Sequence, residues 1–276
     1  MNGRARVVRK VADSNYLQIP ELRAYLAKSP SNLVVLTDII AIEACKTNAA
    51  AVLPLSMKVL SEFPRQVLIL KESAKILGIS GRPAGLTKRM IDFRQTGSFA
   101  AFCADMQAAN EGDLTQQARL SERQRVAASK IDCLTTNSAE MIGHFQDTAA
   151  AFSEKELTEI RTRNPYSRTT QEKLMNHVLM FAEMIRRSLN APKPRTKTEA
   201  INTLIFRYAL CLVLLVTRWM GYGAPVKRKP AKIVNDIMDM HLAAYATFFD
   251  GVLSNDGNMT SVYGEARFVL SEIGAA

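Results

Sequence analysis

The chain has 276 residues, of which 47% are hydrophobic and 22% are charged, a globular composition that excludes wholesale disorder. Its formal net charge of +10 favours a polyanionic partner, and nucleic acid is the commonest one. The four cysteines show no CxxC spacing and the three histidines are dispersed, which argues against a zinc site and a disulfide framework. The basic N-terminus lacks the apolar segment of a secretory signal, so the expected compartment is cytoplasmic.

Short apolar runs alternate with helical segments in the first 75 residues. The predicted strands are residues 7–12, 33–36 and 66–70, and the predicted helices are residues 20–27 and 38–47. Pro20 suits the first turn of the first helix, where its missing N–H costs nothing, and Thr37 is the predicted N-cap of the second. Strands and helices alternating at this spacing indicate βαβ units and a parallel sheet.

The character of the sequence changes after Leu70. Residues 71–221 have helical periodicity without a convincing strand, with predicted helices at 72–78, 87–94, 98–109, 115–129, 137–152, 154–163, 170–189 and 198–220. From residue 231 the alternation resumes, with a helix to about 249, a strand at 251–254, a turn at 256–258 and a helix at 259–272. The pattern predicts an α/β core, made of residues 1–75 and 230–276, that is split by a helical insertion at 76–229.

The most apolar segment runs from Tyr208 to Val216 and is bounded by Arg207 and Arg218. A membrane-spanning helix needs roughly 20 consecutive apolar residues, more than this segment offers. A buried core helix is therefore predicted, and no membrane partner is expected.

Acidic residues follow the apolar runs near the N-terminus. Val11-Ala12 leads directly into Asp13-Ser14-Asn15, and Leu33–Leu36 precedes Asp38 and Glu43. In an open α/β sheet, ligands bind beyond the C-terminal ends of the strands, so acids at these positions are candidates for a shared site.

A second acidic group lies near the C-terminus. Asp236 and Asp239 are three residues apart on one helical face, and Asp256 follows the predicted strand that ends at Ser254. An isolated aspartate at such a position is usually a helix cap or a turn residue. Several carboxylates that converge need a cation, and hard oxygen ligands select Mg²⁺ or Mn²⁺.

The residues around these acids resemble the four motifs of the PIN-domain nucleases. The resemblance rests on the segments Val11-Ala12-Asp13-Ser14-Asn15, Val34-Val35-Leu36-Thr37-Asp38-Ile39-Ile40-Ala41-Ile42-Glu43, Asp239-Met240-His241-Leu242-Ala243-Ala244 and Leu253-Ser254-Asn255-Asp256. It covers under half of the chain, and the long helical segment between Glu43 and Asp239 departs from compact members of the family. It implies a three-layer core with a parallel sheet, here a PIN-like fold carrying a large α-helical insertion.

The resemblance also implies a site and a reaction. The metal ligands and catalytic residues would be Asp13, Glu43, Asp239 and Asp256. Supporting polar contacts would come from Ser14, Asn15 and Ser254, with Asp38 and Asp236 as reserve candidates. Water bound to Mg²⁺ or Mn²⁺ would hydrolyse a phosphodiester bond, with RNA favoured over DNA because it is the commoner substrate in the family. Toxin, RNA-processing and defence roles all fit this activity.

Clusters of basic residues are candidates for holding the substrate backbone. The main ones are Arg82, Lys88, Arg89, Lys227, Arg228 and Lys229. Such contacts give affinity and salt dependence rather than sequence recognition. Each cluster is equally consistent with an ordinary solvated face.

Two alternatives do not require catalysis. The chain could be a catalytically inert PIN-like module that binds nucleic acid or a protein, with its acids serving as caps. It could instead be a helical regulatory protein that assembles with a protein partner or a second copy through the helical segment, using Tyr208–Met220 as the interface.

Overall fold

Four short parallel strands form one sheet in the part of the chain that the computed structural model describes, residues 6–44, 49–162, 166–222 and 229–275. The strands are β1 (Val8–Ala12), β2 (Asn32–Leu36), β3 (Val67–Ile69) and β4 (Val252–Leu253). Their spatial order is β3-β2-β1-β4, and Val11 of β1 pairs with Val35 of β2 and Val252 of β4. The predicted α/β class and parallel sheet are confirmed.

The C-terminal residues of the central strands β1 and β2 are deeply buried. Val11, Ala12, Val34 and Val35 are completely inaccessible to solvent. Consecutive apolar residues of this kind are typical of a parallel sheet that is buried on both sides.

Helices on the two sides of the sheet produce layers. The helices that connect the strands are α1 (Pro20–Lys28), α2 (Asp38–Ala44) and α3 (Ala49–Glu62), and the helix that leads into β4 is α13 (Pro230–Ala246). The path from β1 through β2 to β3 runs towards one edge of the sheet, whereas β4 lies on the other side of β1. Right-handed crossovers therefore place α1 and α3 on one face and α13 on the other.

Between β3 and α13 the described chain is helical. Its helices are α4 (Ser73–Leu77), α5 (Leu86–Met90), α6 (Phe93–Gly97), α7 (Phe99–Asn110), α8 (Leu114–Ala150), α9 (Glu154–Thr162), α10 (Arg168–Ser188), α11 (Lys197–Ile201) and α12 (Leu204–Tyr222). After β4 the chain ends in α14 (Gly257–Glu272). These helices pack directly onto the core, since α12 contacts α13 and α14, and α8 contacts α2, α3 and α13.

Several element boundaries differ from the predicted ones. The two helices predicted at 115–129 and 137–152 are one continuous helix, α8, because the intervening residues include neither glycine nor proline and weak helix formers cost only tenths of a kcal/mol each. The predicted helix 87–94 divides into α5 and α6, because Ile91 forms an antiparallel bridge with Leu70. Helix α3 was not predicted, and it accommodates Pro54 in its interior.

Two further predictions were wrong near the C-terminal half. The predicted helix 198–220 is two helices, α11 and α12, separated at Asn202 and Thr203. The turn predicted at 256–258 is the start of α14, because the side chain of Asp256 accepts hydrogen bonds from the backbone of Asn258 and Met259 and caps the helix.

Helix α12 is the most apolar helix of the described chain. The window Leu204–Gly221 is long and apolar enough to cross a membrane by length and composition alone, and 83% of it is buried inside the protein, as in a core helix. Its side chains from Tyr208 to Met220 pack largely against the rest of the chain. This packing leaves little of the segment as a surface for a second subunit.

Candidate functional site

The switch point of the sheet lies between β1 and β4. Chain connections lead from β1 towards β3 on one side and enter β4 on the other. At such a reversal of strand order, open α/β sheets bind their ligands beyond the C-terminal ends of the strands. Asp13 follows β1 directly, and Ser254 and Asp256 follow β4. Three of the residues singled out in the sequence thus lie where this class of sheet binds its ligands.

Asp13 is held in place by bonds from both strands. Its backbone N–H donates to the carbonyl of Leu253 at 2.9 Å, and its carboxylate accepts a hydrogen bond from the hydroxyl of Ser254 at 2.9 Å. The other carboxylate oxygen lies 3.4 Å from the hydroxyl of Ser14 and from the backbone nitrogen of Asn15. Asp13 is only 3% exposed, so these bonds compensate a largely desolvated carboxylate.

Asp256 is linked to Asp13 by hydrogen bonds through the side chain of Ser254. Its backbone N–H donates to the hydroxyl of Ser254 at 2.9 Å, and that hydroxyl donates to Asp13. The carboxylate oxygen Oδ1 of Asp256 accepts the two capping bonds of α14, each 2.7 Å long. Asp256 is exposed and serves as a helix cap in addition to any role towards a ligand.

Asp239 projects from α13 into a region of accumulated negative charge. Burial raises the pKa of Asp239 to about 8, and nearby carboxylates add to the effect. In decreasing order of influence, these carboxylates belong to Asp256, Glu43, Asp13 and Asp236. The other three residues predicted as metal ligands therefore lie near enough to Asp239 to affect its pKa, as does the reserve candidate Asp236.

Glu43 and Asp236 approach this region from different helices. Glu43 lies in the last turn of α2, where it is half-buried, and Asp236 lies one turn before Asp239 on α13 and is 9% exposed. Spacing of three residues on one helical face explains the proximity of Asp236 to Asp239. We call the group Asp13, Glu43, Asp236, Asp239 and Asp256 the acidic cluster.

Asp38 belongs to a different polar group. Its two carboxylate oxygens accept bonds from the backbone N–H and the hydroxyl of Ser73, at 2.8 Å and 2.6 Å, and the hydroxyl of Tyr245 donates to Ser73 at 2.8 Å. Asp38 is not among the charges that raise the pKa of Asp239. Its bonds tie the end of β2 to the start of α4 and the end of α13, which is a structural role.

The acidic cluster offers a cation only oxygen donors, the ligand chemistry that Mg²⁺ and Mn²⁺ prefer. In residues 6–44, 49–162, 166–222 and 229–275, however, no group of three or more His, Cys, Asp or Glu side chains is arranged closely enough to hold a metal ion. The donor chemistry thus fits such a cation, whereas the described side chains are not arranged as a metal site.

The predicted basic contacts have varied surroundings. Arg82 and Lys88 are exposed, whereas the guanidinium of Arg89 donates to backbone carbonyls of the preceding loop, at Ser80, Arg82 and Ala84. Lys229 is exposed at the start of α13. Lys227 and Arg228 lie outside the described residues.

One cation next to the acidic cluster was not singled out from the sequence. Arg218 of α12 donates to the side chain of Asn258 at 3.0 Å and to Glu265 at 2.9 Å, both in α14. Asn258 is itself bonded to the capping carboxylate of Asp256. The available signal in the sequence was that Arg218 is one of the two arginines that bound the apolar run Tyr208–Val216.

Comparisons of the chain with models of known protein families, with curated protein sequences and with solved structures gave no significant match. The site is therefore described by its own residues: a cluster of carboxylates at the switch point of a parallel α/β sheet.

Proposed function

We propose that the chain is a PIN-like nuclease that depends on Mg²⁺ or Mn²⁺ and hydrolyses phosphodiester bonds, in RNA rather than DNA. The observation that carries the proposal is the link between Asp13 and Asp256 through the hydroxyl of Ser254, after the ends of β1 and β4. These acids, with Glu43 and Asp236, lie near enough to the buried Asp239 to raise its pKa. Mutual repulsion of this kind is costly unless a cation or a proton neutralises it.

The order of the acids along the chain also supports the proposal. Asp13 after β1, Glu43 in α2, Asp239 in α13 and Asp256 after β4 match the order of the motifs that resemble PIN nucleases. Two of these acids flank the switch point, which is the usual ligand crevice of an open α/β sheet.

The divalent cation would supply an activated water and offset the charge of the phosphate oxygens. Asp13 and Asp256 are the residues best placed to hold it, with Glu43 and Asp239 completing its surroundings. Ser254 would keep the carboxylate of Asp13 in one orientation through their 2.9 Å hydrogen bond. Arg218, fixed by α14, would provide positive charge next to the site for the phosphate backbone.

Cleavage of a labelled single-stranded RNA in Mn²⁺ tests the proposal. We expect the protein to cut the RNA, EDTA to abolish cleavage and Asp13→Asn to lower the rate by about a hundredfold or more, the order expected when an electrostatic contribution to the transition state is removed.

Asp38→Asn is the matched control for Asp13→Asn, because both acids follow a central strand but Asp38 is bonded to Ser73, outside the acidic cluster. We expect the control to retain most of the activity once its folding is verified by thermal denaturation. Full activity of Asp13→Asn, or cleavage that persists in EDTA, would contradict the assignment.

A specific observation favours the alternative of an inert PIN-like binding module. Asp256 is already used as the cap of α14, and the described acids are not arranged at metal-binding distances. For an inert module, Mn²⁺ would not raise the melting temperature, whereas a cation that binds the folded state stabilises it.

A further inference from the structure

A cavity of about 690 Å³ lies away from the acidic cluster. Its walls come from the loop after α4, from α10, from the segment 190–196 and from the beginning of α12. The volume is within the usual range of sites for small organic ligands. None of the proposed metal ligands lines it.

Two arginines fix the loops that form its walls. Arg89 donates to the carbonyls of Ser80 and Arg82, at 2.8 Å and 2.7 Å. Arg186 donates to the carbonyl of Ala191 at 3.0 Å while it pairs with Glu183. The backbone of each loop is therefore held by hydrogen bonds from an arginine side chain of a neighbouring helix.

The close approach of Gly81 to α11 also fixes this cavity. A Cβ atom at Gly81 would lie 1.9 Å from the carbonyl oxygen of Glu199, so only glycine allows the two backbones to meet. The cavity wall at this point is built by a contact that no other residue type permits.

Three further cationic side chains line the cavity. Arg82, Lys193 and Arg195 are exposed, and among the described residues their side chains make neither an ion pair nor a hydrogen bond with the protein. The two acids in the lining are engaged, because Glu183 pairs with Arg186 and Glu199 accepts a bond from the backbone of Arg195. The cavity therefore presents unneutralised positive charge.

Apolar side chains form the other part of the lining. Leu77, Ile79 and Leu179 contribute aliphatic surface, and Leu179 is 51% exposed despite being a large hydrophobic residue. An apolar surface beside a group of cations fits a ligand with one apolar part and one anionic part.

We propose that this cavity binds a nucleotide, with its phosphate on Arg82, Lys193 and Arg195 and its base against Leu77, Ile79 and Leu179. The two sources of such a ligand are a free nucleotide and the phosphorylated end of a nucleic-acid strand. The inference does not depend on nuclease activity, because it uses none of the residues assigned to catalysis.

The cavity and the acidic cluster lie at opposite ends of α12. Phe206 lines the cavity, whereas Arg218 bonds to Asn258 beside Asp256. At a rise of about 1.5 Å per residue, the two positions are about 18 Å apart along the helix. A ligand in the cavity would therefore not occupy the proposed cleavage site.

Calorimetric titration with the four ribonucleoside 5′-monophosphates, in EDTA to prevent turnover, tests the proposal. We expect at least one of them to bind, and the corresponding nucleoside to bind about tenfold more weakly or worse because it lacks the charge-assisted phosphate contacts. The double variant Arg82→Ala/Arg195→Ala should weaken binding of the monophosphate to a similar or greater extent.

The matched control is Lys28→Ala/Lys155→Ala, which removes two exposed positive charges from α1 and α9, outside the cavity. It should bind the monophosphate as the unmodified protein does. As a second variant, Ala182→Trp should block the cavity and abolish binding without changing the charge.

A short oligonucleotide carrying a 5′-phosphate distinguishes the two sources. Competition between this strand and the monophosphate indicates a strand end as the ligand, whereas binding of the monophosphate alone indicates a free nucleotide. The proposal is overturned if none of the four monophosphates binds, if the cavity variants bind as well as the unmodified protein, or if the control loses as much affinity as the cavity variant.

Discussion

The protonation state of Asp239 couples the acidic cluster to the stability of the fold. Its pKa is raised to about 8, first by burial and then by the surrounding carboxylates. In the unfolded chain the group titrates near its usual value of about 3.9. Between these two pH values the folded protein retains a proton that the unfolded chain has lost, so this group lowers the free energy of unfolding as the pH rises.

We expect Asp239→Asn to stabilise the metal-free protein at pH 8 and above, and to have little effect near pH 4. The contribution of this group to stability should fall by up to about 1.4 kcal/mol per pH unit between the two pKa values. Urea denaturation in EDTA at several pH values measures it. A difference between the two proteins that is independent of pH would contradict the raised pKa.

Asp256 combines two roles that substitutions can separate. Its carboxylate caps α14 through bonds to Asn258 and Met259, and its charge contributes to the acidic cluster. We expect Asp256→Asn to keep the cap and stability while weakening Mn²⁺ binding. Asp256→Ala should lose both, with a stability loss of about 1 kcal/mol.

Thermal denaturation with and without Mn²⁺ distinguishes these roles. If Asp256→Asn responds to Mn²⁺ as strongly as the unmodified protein does, then Asp256 is a cap only and does not contribute to a cation site.

The contact between α12 and α13 depends on a buried arginine. Arg207 is 1% exposed, and its guanidinium donates to the carbonyl of Thr247 at 2.8 Å and stacks on the ring of Phe248, 3.8 Å from its centroid. Burial lowers the pKa of Arg207 to about 10, which leaves it charged at neutral pH. Its N–H groups satisfy the carbonyl of Thr247, at the end of α13, and the carbonyl of Ile201, in α11.

We expect Arg207→Ala to destabilise the protein by about 3 kcal/mol or more, because it leaves buried carbonyls unsatisfied and opens a cavity. Arg125→Ala is the control, since Arg125 forms an exposed pair with Glu122 of the kind that contributes less than about 1 kcal/mol. If urea denaturation gives the same loss of unfolding free energy for both variants, then Arg207 does not stabilise the contact between these helices.

The sequence predicted those elements whose signals are local. Pro20 at the start of α1, Thr37 before α2 and the valine runs of β1 and β2 each specify an element by their own chemistry. Elements that depend on distant contacts were not predictable in this way. Ile91 divides a helical pattern because it pairs with Leu70, and the cap formed by Asp256 was interpreted as a turn.

The same distinction applies to the candidate site. The sequence could suggest which acids follow strands and that Asp236 shares a helical face with Asp239. It could not show that, of the two reserve candidates, Asp236 would join the acidic cluster while Asp38 would bind Ser73. These outcomes depend on the packing of α13 and α4. The cavity with Arg82 and Arg195 likewise results from the meeting of segments that are far apart in the chain.

At the scale of the whole molecule, the formal charge of +10 and the acidic cluster have opposite signs. In the proposed function, a basic surface would attract a polyanion by long-range forces, and the local carboxylates would hold a divalent cation. We expect the affinity for single-stranded RNA, measured in EDTA, to fall as salt rises, with a logarithmic slope of about −0.7 for each phosphate contacted. Fluorescence anisotropy measures this slope, and salt-independent binding would contradict the role of the basic surface.

Helices from the predicted insertion are part of the packed core rather than a separate layer on its surface. Buried residues of α10 and α12, including Val178 and Leu215, belong to the same hydrophobic cluster as Val11 and Val35 of the sheet. The division into a core (1–75 and 230–276) and an insertion (76–229) stays a prediction. In the structure, the described residues of both parts share one hydrophobic cluster.

The most direct test of the central claim is a crystal soaked in Mn²⁺ and measured at a wavelength where manganese scatters anomalously. We expect an anomalous peak between Asp13 and Asp256, within bonding distance of their carboxylates and near Asp239, and no such peak in a crystal of Asp13→Asn soaked in the same way. A well-diffracting crystal of the unmodified protein without density between these residues would contradict it.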